Sequence, residues 1–460
     1  MRQNDAANFG ELDMNSSTFP LIYQPSIDAY GARLRHLPGF ALLDSSGRRG
    51  SVGRYDVLTA LPAYTFSVAD YNNDPVSWIS AIEQQLSLEA VANKNQDNTE
   101  LMPYAPPCVI GHLDYDTAAS QQGIADQASA RGSAGLYRWL LVQDHVQQRT
   151  WVTFSDGATP EQRNDILGLI KGPDEQLNRS NKFVLKQDFK ATTSKTGYRK
   201  CIDRIQHYIV AGDCYQVNFA HRFHAPYEGD TWVAWKKLKA AAGGNFAAYL
   251  RPAPDHTVLS LSPERFLAIS GGQVITQPIK GTEPRHTDPE IDARNAERLA
   301  ASSKDRAENV MITDLLRNDI GKYCQAGSVR VPELCALHTY SNVHHLVSTV
   351  TGVLKPGVSS GQILVGCSPG GSITGAPKKR SMEIIRELET GPRGAYCGSI
   401  FVLGADGSLQ SNIAIRTLEA LSGELVCWGG GGITAGSHWE AEYQETLDKV
   451  GVFMHALERQ

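Results

Sequence analysis

From Thr193 onward, short strand-like runs alternate with helical ones, and this alternation restricts the chain to a mixed α/β fold with many strands. QVNFAHRF, TVLSLS, RFLAIS, QVITQPI, YCGSIFVL, SNIAIRTLEA and ELVCWG read as strands. SKTGYRKCIDRIQHYIVAG reads as a helix. Its Tyr198, Cys201, Ile202, Ile205, Tyr208 and Ile209 share one face, Thr193 or Ser194 can cap its start, and Gly212 can close it. The earlier part of the chain repeats the mixture, with GFALLDS, YDVLTAL, YRWLLVQ and TWVTF as strands and VSWISAIEQQLSLEAVA as a helix. The polar run Lys171 to Lys195 separates the two parts, which gives an N-terminal domain over 1–185 and a second over 190–460. No unit of solenoid or propeller length recurs.

Composition narrows the class of ligand. At 460 residues and 41% hydrophobic content the chain can bury a large core, and its formal net charge of -5 sets up no basic field toward nucleic acid or anionic lipid. A small metabolite is the expected ligand. Eight cysteines without a CxxC pair fit buried free thiols in a reducing compartment. The polar start lacks the apolar segment of a secretory leader, and no run approaches the ~18 apolar residues of a membrane helix. The expected setting is the cytoplasm, with no membrane and no nucleic-acid partner.

Several segments could carry chemistry. In ITQPIKGTEPRH, Lys280 is fixed between Pro-Ile and Gly-Thr on a constrained turn. SPERF places Glu264 after a proline at the end of TVLSLS, 16 residues before Lys280, so neighbouring strands could bring both to one cleft. A carboxylic acid of raised pKa can protonate a leaving group, and a neutral lysine can attack carbon; without further context, however, Lys280 reads first as an exposed amine. On the last helix, Glu442, Glu445 and Lys449 lie three and four residues apart beside an apolar face of Trp439, Tyr443, Leu447, Val450, Met454 and Leu457. That stripe is either a surface ion pair or half of a hard-cation site. Glu308, on the side of its helix that carries Met311, Ile312 and Leu315, would need a partner there, and a shared cation would be one. In CWGGGGITAGSHWE, Gly429 to Gly432 read as a loop between strand and helix, either a tight turn or an anion-binding nest for a carboxylate. GCSPGGSITGAPKKR, Gly366 to Arg380, reads as a second such loop.

In their order and spacing, SPERF, QPIKGTEPR, KDRAENVMITDLLRNDIG, GSITGAPKKRSMEII, IAIRTLEA, WGGGGIT and AEYQETLDK resemble the chorismate-utilising enzymes, a family that includes the large subunit of anthranilate synthase. The resemblance implies an α/β (α+β) fold like that subunit: a sandwich of two facing β-sheets with helices outside. It implies Mg2+ held by Glu308 and Glu445 with Glu442 close by, and substrate carboxylates held by Tyr396, Arg416, the backbone of Gly430 and Gly431, and Lys449. Glu264 carries over as the general acid at the departing 4-hydroxyl of chorismate, and Gln216, Thr282, His345 and Thr374 would line the pocket.

Two positions distinguish members of the family. Members that add water to chorismate carry a lysine where this chain has Gln216, which cannot act as that base. Anthranilate-forming members resemble PIAGT at the turn, whereas members that aminate C4 have PIKGT, as this chain does. The resemblance therefore implies that Lys280, brought to its neutral form by burial or by a positive neighbour such as Arg285, attacks C2 while Glu264 protonates the leaving hydroxyl. Ammonia would come from a separate glutaminase subunit. LLDSS, Leu42 to Ser46, resembles one wall of a tryptophan pocket, although GGNFAAYLRP lacks the proline-bearing second wall, and tryptophan stands as a candidate ligand. Two alternatives remain open on sequence: an anthranilate-type synthase, and a silent subunit that binds chorismate or tryptophan to regulate a partner.

Overall fold

In a computed structural model, the chain is described over residues 16–46, 53–92, 105–124, 131–172, 182–340 and 343–458. Its strands form two antiparallel sheets. In the larger, the path runs from Thr18–Leu21 through Arg149–Phe154, Trp139–Asp144, Tyr55–Thr59, Ala41–Asp44, Phe246–Ala253, His256–Ser262, Thr417–Leu421 and Glu424–Ile433 to Gln216–Gly229. The smaller runs from Ile279–Pro284 through Val343–Val353, Gln273–Thr276, Arg265–Ser270, Leu409–Asn412, Ser399–Gly404, Cys108–Leu113 and Gly132–Tyr137 to Tyr64–Ser67.

Adjacent side chains on a strand point to opposite faces, and here both faces are covered. Leu42, Leu58, Leu141, Tyr249 and Leu259 belong to one buried cluster with Trp232, Trp235, Val450 and Phe453 from helices on the outside of the larger sheet. Their neighbours Ala41, Val57, Leu140, Ala248 and Val258 belong to another, with Ile110, Ile400 and Val402 of the smaller sheet, so the sheets pack face to face. The helices Pro75–Ala92, Lys195–Val210, Ser303–Gly321, Ser360–Cys367 and Lys378–Leu388 contribute to the remaining cluster, with Pro75–Ala92 and Ser303–Gly321 against strands of the smaller sheet and Lys195–Val210 and Lys378–Leu388 against Gln216–Gly229 of the larger. This is the two-sheet sandwich with helices outside that the resemblance implies. The helix expected after Thr193 starts at Lys195, its Ser194 side chain accepts from Gly197 N at 3.1 Å, and Gly212 has φ +83°.

Each sheet is continuous across the expected boundary near residue 185. Ala41–Asp44 pairs with Phe246–Ala253, and Cys108–Leu113 pairs with Ser399–Gly404. Part of the connecting segment, 173–181, lies outside the described residues. No helix among the described residues is long and apolar enough to cross a membrane.

Candidate active site

The chain passes between the sheets at two neighbouring places, and each carries one of the expected residues. His256–Ser262 ends in the larger sheet and Arg265–Ser270 begins in the smaller, so Pro263 and Glu264 form the crossing. Leu409–Asn412 of the smaller sheet leads to Thr417–Leu421 of the larger through a segment ending in Arg416, which has φ +51°. The crossings are tied together. Ser262 Oγ donates to Ile413 O at 2.6 Å, Ile413 N to Glu264 O at 3.1 Å, and Leu261 N to Arg416 O at 3.0 Å. Glu264 and Arg416 thus project from fixed backbone into one cavity of about 620 Å³.

Lys280 lies on the strand Ile279–Pro284 rather than on the expected turn. Pairing with Val343–Val353 slips between Lys280 and Thr282, leaving Gly281 as the extra residue of a β-bulge with φ +79°. A Cβ at Gly281 would lie 2.9 Å from Leu299 Cδ1 and 3.0 Å from Asp305 Cβ, so both the conformation and the close approach require glycine. The bulge lets Lys280 and Thr282 both line the cavity. Lys280 Nζ donates to Ser372 O at 3.3 Å, and Thr282 Oγ1 lies 2.8 Å from Nδ1 of His345, another wall residue. Arg285 is not the expected positive neighbour. Its Nε donates to both carboxylate oxygens of Asp292 at 2.8 and 2.9 Å, away from the cavity wall, and the unanticipated cation on that wall is Lys304.

The glycine run is also not a loop. Gly429 to Gly432 belong to the strand Glu424–Ile433, paired in register with Asn218 to His221, and the helix starts only at Trp439. Glycine is needed because the helix rests directly on this strand. A Cβ on Gly429 would come 2.7 Å from Val450 Cγ1 and 2.9 Å from Thr446 O, while one on Gly431 would face Glu442 Oε2 at 3.2 Å and Lys449 Nζ at 3.7 Å. The same packing rotates the helix from its expected orientation. Glu442, Thr446, Val450, Phe453 and Leu457 are buried, whereas Trp439, Tyr443, Leu447 and Met454 pack at its margins. Of the carboxylate stripe, Glu442 lies on the buried face, while Glu445 and Lys449 stay exposed and line the cavity from its edge. Lys449 Nζ donates to Gly430 O at 2.8 Å and pairs with Glu445 Oε1 at 2.7 Å, which fixes the ammonium above the glycine strand.

Glu308 enters from the helix Ser303–Gly321, anchored by the next residue. The fully buried Asn309 donates to Leu346 O at 3.1 Å and accepts from Ser348 Oγ. Burial pushes the Glu264 carboxyl above its ordinary range against the opposing effects of Lys280 and a hydrogen bond from Ser372. Burial likewise raises Glu308, with Asp305 and Glu442 adding to it and Lys280 and Lys304 opposing. Glu442 is raised by burial and by the Glu445 charge. Burial would raise Glu445 as well, but Lys449, Lys304 and Lys280 outweigh it and hold the group below its usual range. Among the described residues no three His, Cys, Asp or Glu side chains converge closely enough to enclose a metal ion by themselves. An open wall of three carboxylates, two of them protonating more readily through burial and mutual repulsion, nevertheless fits Mg2+, which usually takes one or two carboxylates and completes its shell with substrate and water.

Tyr396 stacks on Trp428 with centroids 6.2 Å apart and lines the cavity, as do His345, Gly430 and Gly431. Gln216 and Thr374 are fully buried beside the cavity without lining it: Gln216 lies under Gly432, and Thr374 Oγ1 donates to Gly370 O at 3.0 Å. Sequence reasoning passed over Asn218, Lys304, Asp305, Ser372 and Asp448, all on the wall. Lys304, Asp305, Ser372 and Asp448 lay inside the family motifs, and the signal for Lys304 was its i,i+4 spacing from Glu308.

Comparison with known proteins places this geometry. The family model described as chorismate binding enzyme matches residues 43–455. The chain is 38% identical over 454 residues to aminodeoxychorismate synthase component 1 of Escherichia coli (strain K12), covering 95% of this chain and 97% of that protein. It is 40% identical over 447 residues to the protein of the same name from Klebsiella aerogenes, covering 93% and 96% respectively. The crystal structure of anthranilate synthase component I from Streptococcus pneumoniae TIGR4 shares the fold at a TM-score of 0.70, with 24% identity, 99% of this chain and 95% of that chain covered.

Proposed function

This chain belongs to the chorismate binding enzymes, and from that premise we propose that it aminates chorismate as aminodeoxychorismate synthase component 1, giving 4-amino-4-deoxychorismate on the route to 4-aminobenzoate and folate. The single observation that carries this reading is the sharing of one cavity by Lys280, held on the Gly281 bulge, and the buried Glu264. Relatives of that name at 38% and 40% identity support it.

Chorismate carboxylates are held by Arg416, Lys449, Tyr396 and the glycine strand. The neutral amine of Lys280 forms a bond to C2, the ring double bonds shift, and the C4–O bond breaks as Glu264 gives its proton to the departing hydroxyl, which leaves as water. Lys280 becomes a secondary ammonium and Glu264 a carboxylate, so charge balances. Ammonia then attacks C4, the C2–N bond breaks to release neutral Lys280, and the proton on the new amine passes to Glu264 or solvent. Burial of Glu264 favours the protonated form that the first step needs. Glu308, Glu442 and Glu445 would hold Mg2+, which supplies positive charge at the ring carboxylate.

Ammonia comes from a separate glutaminase subunit, consistent with the designation of the relatives as component 1. We place the reaction in the cytoplasm, a setting that suits eight free cysteines. A second cavity, about 480 Å³ between the sheets and lined by Leu43, Asp44, Ser45 and Ala248, is the candidate site for tryptophan.

Intact-protein mass spectrometry after incubation with chorismate and Mg2+ in the absence of ammonia tests the mechanism. The parent chain should gain a chorismate-derived mass that Lys280→Ala lacks; equal masses in both defeat covalent participation. With ammonium added, a non-aromatic amine is the expected product, and fluorescent anthranilate would instead favour C2 amination.

A further inference from the structure

Behind the wall of the larger cavity, one buried ion pair holds pieces of several separate elements. Glu389 closes the helix Lys378–Leu388 and Arg393 follows it in the next segment, their side chains 2% and 1% exposed. The guanidinium makes four hydrogen bonds. Nε donates to Glu389 Oε2 at 2.9 Å, Nη2 to Glu389 Oε1 and to Asn218 O, both at 2.7 Å, and Nη1 to Ile373 O at 2.9 Å. Glu389 Oε1 also accepts from Ala220 N at 2.8 Å. The guanidinium carbon lies 4.5 Å from the ring centroid of Tyr115 and 5.9 Å from that of Tyr396, within reach of cation-π attraction. Asn218, Ile373 and Tyr396 all line the cavity, although neither Arg393 nor Glu389 does. Asn218 and Ala220 are the register partners of Gly432 and Gly430, so the pair grips the strand directly beside the glycine strand.

Resting on the functional reading above, we propose that Arg393 is a positioning residue: it fixes Asn218, Ile373 and Tyr396 relative to one another and so shapes the wall on which the chorismate carboxylates rest. Charge attraction alone does not explain the arrangement. Taking two charges out of water offsets most of their attraction, and apolar side chains of similar volume often replace a buried pair without loss of stability. What apolar side chains cannot supply is direction. A planar guanidinium presents donors on three nitrogens at fixed angles, so it sets one spacing between a carbonyl of the strand Gln216–Gly229 and a carbonyl of the short 3-10 turn Gly371–Ile373, while Glu389 holds the fork in its plane. A lysine ammonium carries its three donors on one atom and cannot reach acceptors arrayed around a guanidinium. Glu264 and Lys280 stand on the sheet crossing and the Gly281 bulge, so loss of the fork acts on binding more than on the chemical step.

The test is steady-state amination with ammonium and Mg2+ across a range of chorismate concentrations, with thermal melting to establish that each variant is folded. Arg393→Lys keeps the charge opposite Glu389 and loses the fork. Its chorismate KM should rise by about tenfold or more, with a smaller fall in kcat. The double variant Arg393→Met with Glu389→Met removes both charges, so no buried charge is left unpaired, and it decides the matter if the lysine variant does not fold. Its KM should rise as in the lysine variant, whereas a pair that serves the fold alone predicts a parental KM once the double variant is folded. A KM rise below about tenfold in either folded variant overturns the proposal, as does a fall in kcat equal to or larger than the rise in KM. A parent chain that forms no amine with ammonium defeats the functional reading itself, whereas amination by the parent with no KM effect of substitution at Arg393 defeats the positioning role alone.

Discussion

Two cavities of comparable size treat charge in opposite ways. Around the inter-sheet cavity of about 480 Å³, charges are matched: Asp44 pairs with Lys239 at 2.8 Å and Arg54 with Asp144 at 2.6 Å. Around the 620 Å³ cavity, Glu264, Asp305, Glu308, Glu442, Glu445 and Asp448 outnumber Lys280, Lys304, Arg416 and Lys449, although Lys449 with Glu445 is an ion pair within that wall. They also differ in origin. The first draws its walls from residues 43–57, 245–265 and 400–412, across the expected domain boundary; the second draws only on residues 218–453. Matched charge suits a site that holds a molecule, whereas buried acids beside several cations suit a site where protons and bonds move.

The largest break in that comparison comes from removing the nucleophile. Lys280→Ala should lower ammonium-dependent amination by about 10³-fold or more, the scale seen when a reacting residue is deleted. Steady-state assay at saturating ammonium checks this, and near-parental activity would remove Lys280 from the reaction. Next is Glu264→Gln, with an expected loss of about 10²- to 10⁴-fold in kcat. Its stability should move the other way. The folded Glu264 holds its proton above the ordinary carboxylate range, so the folded state binds more protons than the unfolded chain between the ordinary and the raised pKa, and the parent loses stability as pH rises through that window. Glutamine abolishes this penalty, and Tm at neutral pH should rise by roughly 1–2 °C. A lower Tm would mean that the carboxylate is already stabilised in its ionised form.

How far these sites could be read from sequence depended on whether a signal was local. Proline before Glu264 and glycine after Lys280 mark backbone constraints that belong to the residues themselves, and both side chains proved to share a cavity. The strand and helix pattern was legible for the same reason, since burial on two faces writes near-continuous apolar runs such as Ala41 to Leu43. Gly429 to Gly432 misled because a glycine run signals a turn by conformational freedom, whereas here the missing side chains make room for a helix 17 residues further on at Thr446. Arg285 misled because Asp292, in the first turn of the helix Pro289–Ala301, takes its guanidinium into an ion pair away from the cavity wall. Ser372 was passed over because its contact with Lys280 runs through a backbone carbonyl, which no residue identity announces.

A smaller effect sharpens the account of the glycine strand. A methyl on Gly431 would come 3.2 Å from Glu442 Oε2, tight enough to move that carboxylate by a few tenths of an ångström. Gly431→Ala should therefore raise the chorismate KM about tenfold, roughly 1.4 kcal/mol, with a lesser fall in kcat. An unchanged KM would show that this strand is not the floor on which the substrate lies.

The smallest expected change in rate comes from the other cavity and is the most direct test of the contrast. Ala248 lies on its wall and belongs to the buried cluster between the sheets, while the adjacent Tyr249 points to the outer cluster. Ala248→Leu should occupy inter-sheet space without reaching Glu264 or Lys280, so amination should stay within about twofold of the parent, in line with a volume change into an existing cavity. Calorimetric binding of tryptophan, where the parent shows it, should fall at least tenfold. If the leucine instead depresses amination as strongly as it depresses tryptophan binding, the two cavities form one mechanical unit, and the division between a holding site and a reacting site gives way.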